Sequence, residues 1–395
     1  MFRQSSLILL IIVAFLGGCT ASEKAKEARI KGAISALQAV YAPDKRTDRV
    51  VVALAGDTLR GYTTRPEVWD SINAWGTQYP DLINTVRLLP DARIGDKRCG
   101  IVKVAVANLR SHPGHSQELA TQALLGTPLQ LLDEQDGWYM VRTPDRYIAW
   151  LEPGAFVAMV PEAGQAWLEG DNRIYVGTSG AIMGQPGGGQ ILSTIVPGGI
   201  VEFYPEETDP EFTMIRLPDG VKGWLPKGDL MWPPTWWNPK GINPETLLSV
   251  AAGLAGRPYL WGGTSPNGMD CSGFTKMSYY LNGYIIPRDA SQQVYAGEAV
   301  ALTDDFANLQ PGDQLFFGRL REDGSEKITH TGFYLGAGRF LHAGADNGRI
   351  KENSLLPDDE DFAQHRLESL LRARRLRPET EGVIPVGTAF KAMMR

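Results

Sequence analysis

The chain has 395 residues, too long for one ordinary domain, and its 43% hydrophobic and 21% charged residues are those of a globular protein able to bury a core. A net charge of −6 and a pI of about 5.5 argue against nucleic acid or an anionic membrane surface as the main partner, since either selects a basic patch. With 3 cysteines and 5 histidines, thiol and imidazole chemistry is confined to a few positions.

At the N-terminus Arg3 precedes an apolar run of 10 residues, Leu7 to Leu16. Roughly 20 residues are needed to span a bilayer, so the run fits the core of a signal peptide. It ends in Leu16-Gly17-Gly18-Cys19, which resembles a bacterial lipobox. The resemblance implies a signal peptide over 1–19, lipidation of Cys19, and an exported protein lipid-anchored to a bacterial membrane, facing the periplasm or the cell exterior. The Ser, Glu and Lys-rich stretch that follows is expected to be a short tether. In an oxidising compartment Cys99 and Cys271 could pair. Cys271 lies in a stretch suited to reactivity, so pairing is not expected and Cys99 carries no assigned role.

Within 20–100, a small α/β unit follows the tether. Val50 to Leu54 has strand character, Gly56-Asp57 a turn, Arg65 to Tyr79 carries Val68, Trp69, Ile72 and Trp75 at helical spacing, and Thr85 to Leu89 returns to strand. An internal repeat comes next. Arg142 to Leu151 aligns without gaps to Arg216 to Leu225, and Leu109 to Gly114 to Ile182 to Gly187. Each copy has short apolar runs divided by Gly, Pro and Asp turns, the pattern of a small β-barrel. The turn and the strand ending in Trp-Leu resemble bacterial SH3-like domains, which implies one barrel over 101–162 and a second over 163–232. The linker 233–242 is rich in Pro and Trp and is expected to pack against its neighbours.

The last domain, 243–378, precedes a C-terminal tail over 379–395. Asn243 is a good N-cap and Pro244 suits the first helical position. After a Gly-rich turn at Tyr259 to Thr264, Asp270-Cys271-Ser272-Gly273 opens a second helix that runs to about Leu281, with Gly283 placed to cap it. A helix N-terminus lowers a thiol pKa and offers N–H groups to an oxyanion. A nucleophilic thiol also needs an imidazole. His330 lies on a strand through Leu335, Gly336-Ala337-Gly338 forms a turn, and Arg339 to Ala343 is a second strand with His342. A three-residue turn gives the two histidines the same parity, so both project from one face of the hairpin. One can act as base and the other as its orienter. A metal-binding pair is the weaker reading, because no third ligand is near in sequence.

Tyr259 to Phe274, Pro287 to Gln293, Leu309 to Phe317, His330 to Gly336 and Phe340 to Ala343 together resemble the NlpC-type cell-wall cysteine peptidases. The resemblance implies an α+β chain with a papain-like peptidase domain behind two small SH3-like barrels and a short α/β unit. It implies Cys271 as nucleophile, His330 as base, His342 as the residue orienting it, and Tyr259 close to the site. It implies no cofactor and no metal. The order of domains is similar to that of the γ-D-glutamyl-L-diamino acid endopeptidases, whose substrates are peptidoglycan stem peptides with a free N-terminal L-Ala. That similarity implies contacts to the substrate amine from Glu118, Tyr147, Asp270 and Ser272. A wall amidase or acyltransferase on the same fold, and a lipoprotein that only binds wall fragments, are the alternatives.

Overall fold

A computed structural model describes residues 23–394, apart from the side chains of 205–208; the signal segment and Cys19 lie outside the described residues. The chain divides into two compact units at Gly95/Asp96. The first unit opens with a helix over Glu23–Tyr41 that buries Ile30, Ile34 and Leu37. The expected tether is, from Glu23 onward, the first turn of a core helix, because the apolar residues that follow recur every three to four positions. Strands Val50–Ala55 and Thr58–Thr63 pair antiparallel, helix Pro66–Gln78 crosses over, and strand Ile83–Leu88 returns parallel to the second strand. Val52, Leu59, Val68, Ile72, Trp75 and Val86 close the core against the first helix.

The second unit begins with two seven-stranded sheets, over Cys99–Met159 and Asn172–Met231, joined by a helix at Pro161–Glu169. The sequence repeat is a repeat of strand register. Arg142 pairs with Ile148 and Met140 with Trp150 in the first sheet, and Arg216 with Lys222 and Met214 with Trp224 in the second. The bridges Arg110–Trp150 and Met183–Trp224 also correspond. One cross-strand side-chain contact is duplicated too: Arg142 donates to Gln130 in one copy, and Arg216 forms an ion pair with Glu202 in the other.

The linker is ordered. Trp236 is buried, donates Nε1–H to the carbonyl of Tyr280 at 2.7 Å, and meets Tyr280 and Phe390 edge-on. Behind it, helix Pro244–Gly253 starts at Asn243, whose side chain caps Glu245 and Thr246. Helix Cys271–Leu281 packs on a six-stranded antiparallel sheet, with Phe274 and Tyr279 against Phe333. The sheet runs in the order 298–300, 370–375, 314–320, 326–336, 339–344, 349–354. Gly283, at φ +86°, follows the helix as expected for a left-handed cap.

The segment read as a tail is instead built into this unit. Ile384–Pro385 pairs with Tyr284–Ile285, and helix Val386–Ala392 buries Val386, Ala389 and Phe390. Met393 and Met394 reach Cys99, whose buried thiol donates to the carbonyl of Met159. Burial pushes that thiol up to about 11, so it is an inert core residue. Both Cys99 and Cys271 are free.

Candidate active site

Cys271 is the first residue of its helix and Asp270 the N-cap, accepting from the backbone N–H of Gly273 at 2.7 Å. The thiol receives the backbone N–H groups of Ser272 and of Thr331, the residue after His330. This contact brings the nucleophile candidate to the strand that bears the imidazole. His330 Nε2 lies 2.8 Å from His342 Nδ1, and His342 Nε2 lies 3.1 Å from Asn353 Oδ1.

The proton positions along this row follow from its far end. Asn353 Nδ2 donates to the carbonyl of Asp361 at 3.1 Å, which leaves Oδ1 as the atom facing His342. His342 therefore carries its proton on Nε2 and accepts at Nδ1, and His330 carries its proton on Nε2. The nitrogen left without a proton is Nδ1 of His330.

The expected parity holds, by a different route from the symmetric three-residue turn. Gly336 pairs with Arg339 across a two-residue turn, and a register shift between Tyr334 and Gly336 restores the even pairing Phe333–Leu341. A bulge, invisible as such in the sequence, puts both imidazoles on one face.

Burial dominates the electrostatics. It pushes the Cys271 thiol up to about 12, with the carboxylate of Asp270 adding to the rise and the two N–H groups and Arg288 opposing it. The same burial holds His330 well below 6.5, with His342 adding, and brings His342 down to about 4. The helix N-terminus was expected to lower the thiol, and its N–H does so, but burial raises it by more.

Asp270 and Ser272, expected at the substrate amine, are committed inward. Asp270 accepts from Gly262 N, Gly273 N, Ser272 Oγ and both terminal nitrogens of the buried Arg288. A carboxylate has about four lone-pair sites, and these are used. Ser272 Oγ donates to Asp270 and accepts from Arg288 at 3.0 Å. Their observed work is to hold Arg288 and the start of the helix. Arg288 and Gln293, within the segment Pro287 to Gln293, had no role in the sequence reading. Gln293 donates to the carbonyls of Ser272 and Pro287 and accepts from Thr275, which pins the loop behind the thiol.

The first barrel packs against the Gly-rich turn that precedes the thiol. Glu118 Oε1 accepts from Trp261 Nε1–H at 2.7 Å, and Tyr147 stands within electrostatic reach of Arg288. Thr264 exchanges backbone and side-chain hydrogen bonds with Gln122, and Lys276 pairs with the buried Asp145 at 2.6 Å. Gly262, at φ +79°, passes so close that a Cβ there would lie 2.0 Å from the Leu119 carbonyl oxygen. Tyr259 is partly buried beside Cys271, and its phenol is raised by burial and by the charges of Cys271 and Asp270. Among the described residues no group of three metal-ligating side chains converges.

A thiol at a helix N-terminus, set against an antiparallel sheet that carries an ordered pair of imidazoles, defines a papain-like cysteine peptidase. The profile of the NlpC/P60 family matches residues 256–368, and that of the bacterial dipeptidyl-peptidase SH3 domain matches 109–155. Dipeptidyl-peptidase 6 of Lysinibacillus sphaericus is 29% identical over 271 residues, covering 65% of this chain and 91% of the relative. A γ-D-glutamyl-L-lysine dipeptidyl-peptidase of Bacillus cereus is 27% identical over 250 residues, 58% of this chain and 68% of its own. A "probable endopeptidase" of Corynebacterium glutamicum is 31% identical over 179 residues, 42% of this chain and 79% of its own. The crystal structure of an NlpC/P60 family protein from Bacillus cereus superposes with a TM-score of 0.59 over 71% of this chain and 100% of the other, at 22% identity, a likeness of fold. The chain belongs to the NlpC/P60 family.

Proposed function

We propose that this cysteine peptidase is a peptidoglycan endopeptidase that hydrolyses the amide between γ-D-glutamate and the following L-diamino acid, through a thioester on Cys271. The observation that carries the reading is the ordered row His330, His342, Asn353 that starts on the strand beside Cys271, with Glu118 of the first barrel bonded to Trp261 on the turn before it. The names of the relatives from Lysinibacillus and Bacillus support the class of bond.

In this mechanism His330 Nδ1 takes the thiol proton as the sulfur attacks the γ-carbonyl carbon. The oxyanion is held by the backbone N–H of Cys271, which as a first-turn donor has no intrahelical acceptor. His330 then passes the proton to the leaving α-amine, the C–N bond breaks, and a thioester remains. A water, deprotonated by the same nitrogen, releases the acyl group and restores the thiol. His342 keeps the ring of His330 in the required tautomer.

Glu118 Oε2 is left open by the bond that Oε1 makes to Trp261, and it suits the ammonium of a free N-terminal L-Ala, with Tyr147 as second acceptor. This preference restricts action to peptides already released from the glycan. The sequence at Cys19 supports an exported, lipid-anchored protein. The test is digestion of L-Ala-γ-D-Glu-L-Lys, free and muramyl-linked, with product masses read by mass spectrometry. The free peptide is expected to give L-Ala-γ-D-Glu and L-Lys, and Cys271→Ala to give neither. Equal cleavage of the muramyl form would remove the L-Ala restriction, and a cut at muramoyl–alanine would make the protein an amidase.

A further inference from the structure

The geometry points to a carboxylate-binding subsite at Arg366, on the leaving-group side of the cleft, that reads the free carboxylate of the diamino acid released from Cys271. It rests on the endopeptidase reading above. Arg366 stands on the short helix Gln364–Ser369, and its Nη2 donates to Asp346 Oδ2 at 3.2 Å, beside His365 Nε2 at 3.0 Å from the same oxygen. Asp346 sits against the imidazole row: a Cβ built on Gly344 would fall 2.2 Å from Asp346 Oδ1 and 2.8 Å from His342 Cε1. Phe317 closes the other approach, its ring 5.6 Å from that of His330 and 5.8 Å from Arg366 Cζ. The guanidinium is thus one aromatic ring away from the group that protonates the leaving amine.

Its hydrogen bonding is incomplete. Nε is buried without an acceptor, and the single carboxylate it meets is shared with His365. Its charge also opposes protonation of both His330 and His342, which the reaction requires of His330. An anion bound at Arg366 in the complex removes that opposition and satisfies the fork. The leaving fragment supplies one. Its first α-carbon bears both the scissile nitrogen and a carboxyl group, which is a free anion in a tripeptide and an amide in a longer stem. In the endopeptidase reading Glu118 and Tyr147 take the amine at the acyl end, so the two ends of the substrate are read by opposite charges.

The experiment compares kcat/KM for L-Ala-γ-D-Glu-L-Lys, for its C-terminal carboxamide, and for the analogue amidated at the D-Glu α-carboxyl. The native protein is expected to favour the free acid over the C-terminal amide by about tenfold or more. Arg366→Gln should abolish that preference, so that free acid and C-terminal amide are cleaved with the same kcat/KM. Arg366→Lys, which keeps the charge and the fold, should retain part of it. An equal loss on all three substrates would make Arg366 a scaffold for the Asp346 turn and overturn the proposal. A preference that survives Arg366→Gln, or one that follows the D-Glu amide instead, would overturn it too. Failure of the native protein to cleave any of the three would overturn the endopeptidase reading on which the subsite rests.

Discussion

Asn353 shows how far the chemistry of one site extends beyond its reacting atoms. Its Oδ1 faces His342 with its Nδ2 engaged by the Asp361 carbonyl and with Asn347 Nδ2 donating to the same Oδ1 at 3.2 Å, and that orientation propagates through two imidazoles to Nδ1 of His330. Asn353→Leu removes the acceptor and frees His342 to take either tautomer. It is expected to lower kcat/KM by tenfold to about a hundredfold with little change in melting temperature. Asn353→Asp stabilises a protonated His342 and should shift the acid limb of the pH–rate profile upward. A Leu variant with native kcat/KM and an unmoved profile would show that the row ends at His342. Cys271 and His330 were legible in the sequence because helix capping and strand alternation are local rules. Asn353 was not, since it lies one strand further on and only the pairing of His342 with Lys351 in the sheet brings it near.

Among the elements, helix Cys271–Leu281 is where the parts of the second unit meet. Its first residue faces the sheet, Lys276 pairs with Asp145 of the first barrel, and Tyr280 donates its hydroxyl to the Gly198 carbonyl of the second barrel at 2.8 Å. Asp145 is almost fully buried, and without Lys276 its carboxylate would be left unpaired in the interior. Lys276→Met is expected to cost about 3–5 kcal/mol in urea denaturation, and the double change Lys276→Met/Asp145→Leu to recover most of it. If the single and double variants unfold at the same urea concentration, the pair does not join barrel to helix. The repeat was readable because the same register recurs 74 residues apart, Arg142–Ile148 against Arg216–Lys222. Docking of both barrels on one helix was not readable, since it depends on surfaces far apart in sequence.

For the whole molecule, burial of the imidazoles couples folding to pH. His342 is held at about 4 in the folded chain against 6.5 when unfolded, and His330 is displaced in the same direction. Between those limits the unfolded state binds protons that the folded state refuses, so stability is fully present above about pH 6.5 and is lost as the pH falls toward 4. The loss attributable to His342 is on the order of 3 kcal/mol. The urea midpoint should fall between pH 7 and pH 5, and His342→Gln should flatten the slope. The depressed carboxylates Asp91, Asp145 and Asp346 lose their contribution only at lower pH, so a midpoint unchanged between 7 and 5 would contradict the buried neutral row.

The sequence by itself determined the thiol at a helix N-terminus, the shared face of His330 and His342, the repeated barrels and the class of chemistry. Each follows from periodicity, capping or motif order over a few residues. Tertiary structure decided the rest. The last residues fold back onto Cys99. Asp270 serves Arg288 rather than standing open, and burial raises the Cys271 thiol by more than the helix N-terminus lowers it. These outcomes depend on which distant surfaces exclude water from a group, and no local pattern of residues carries that information.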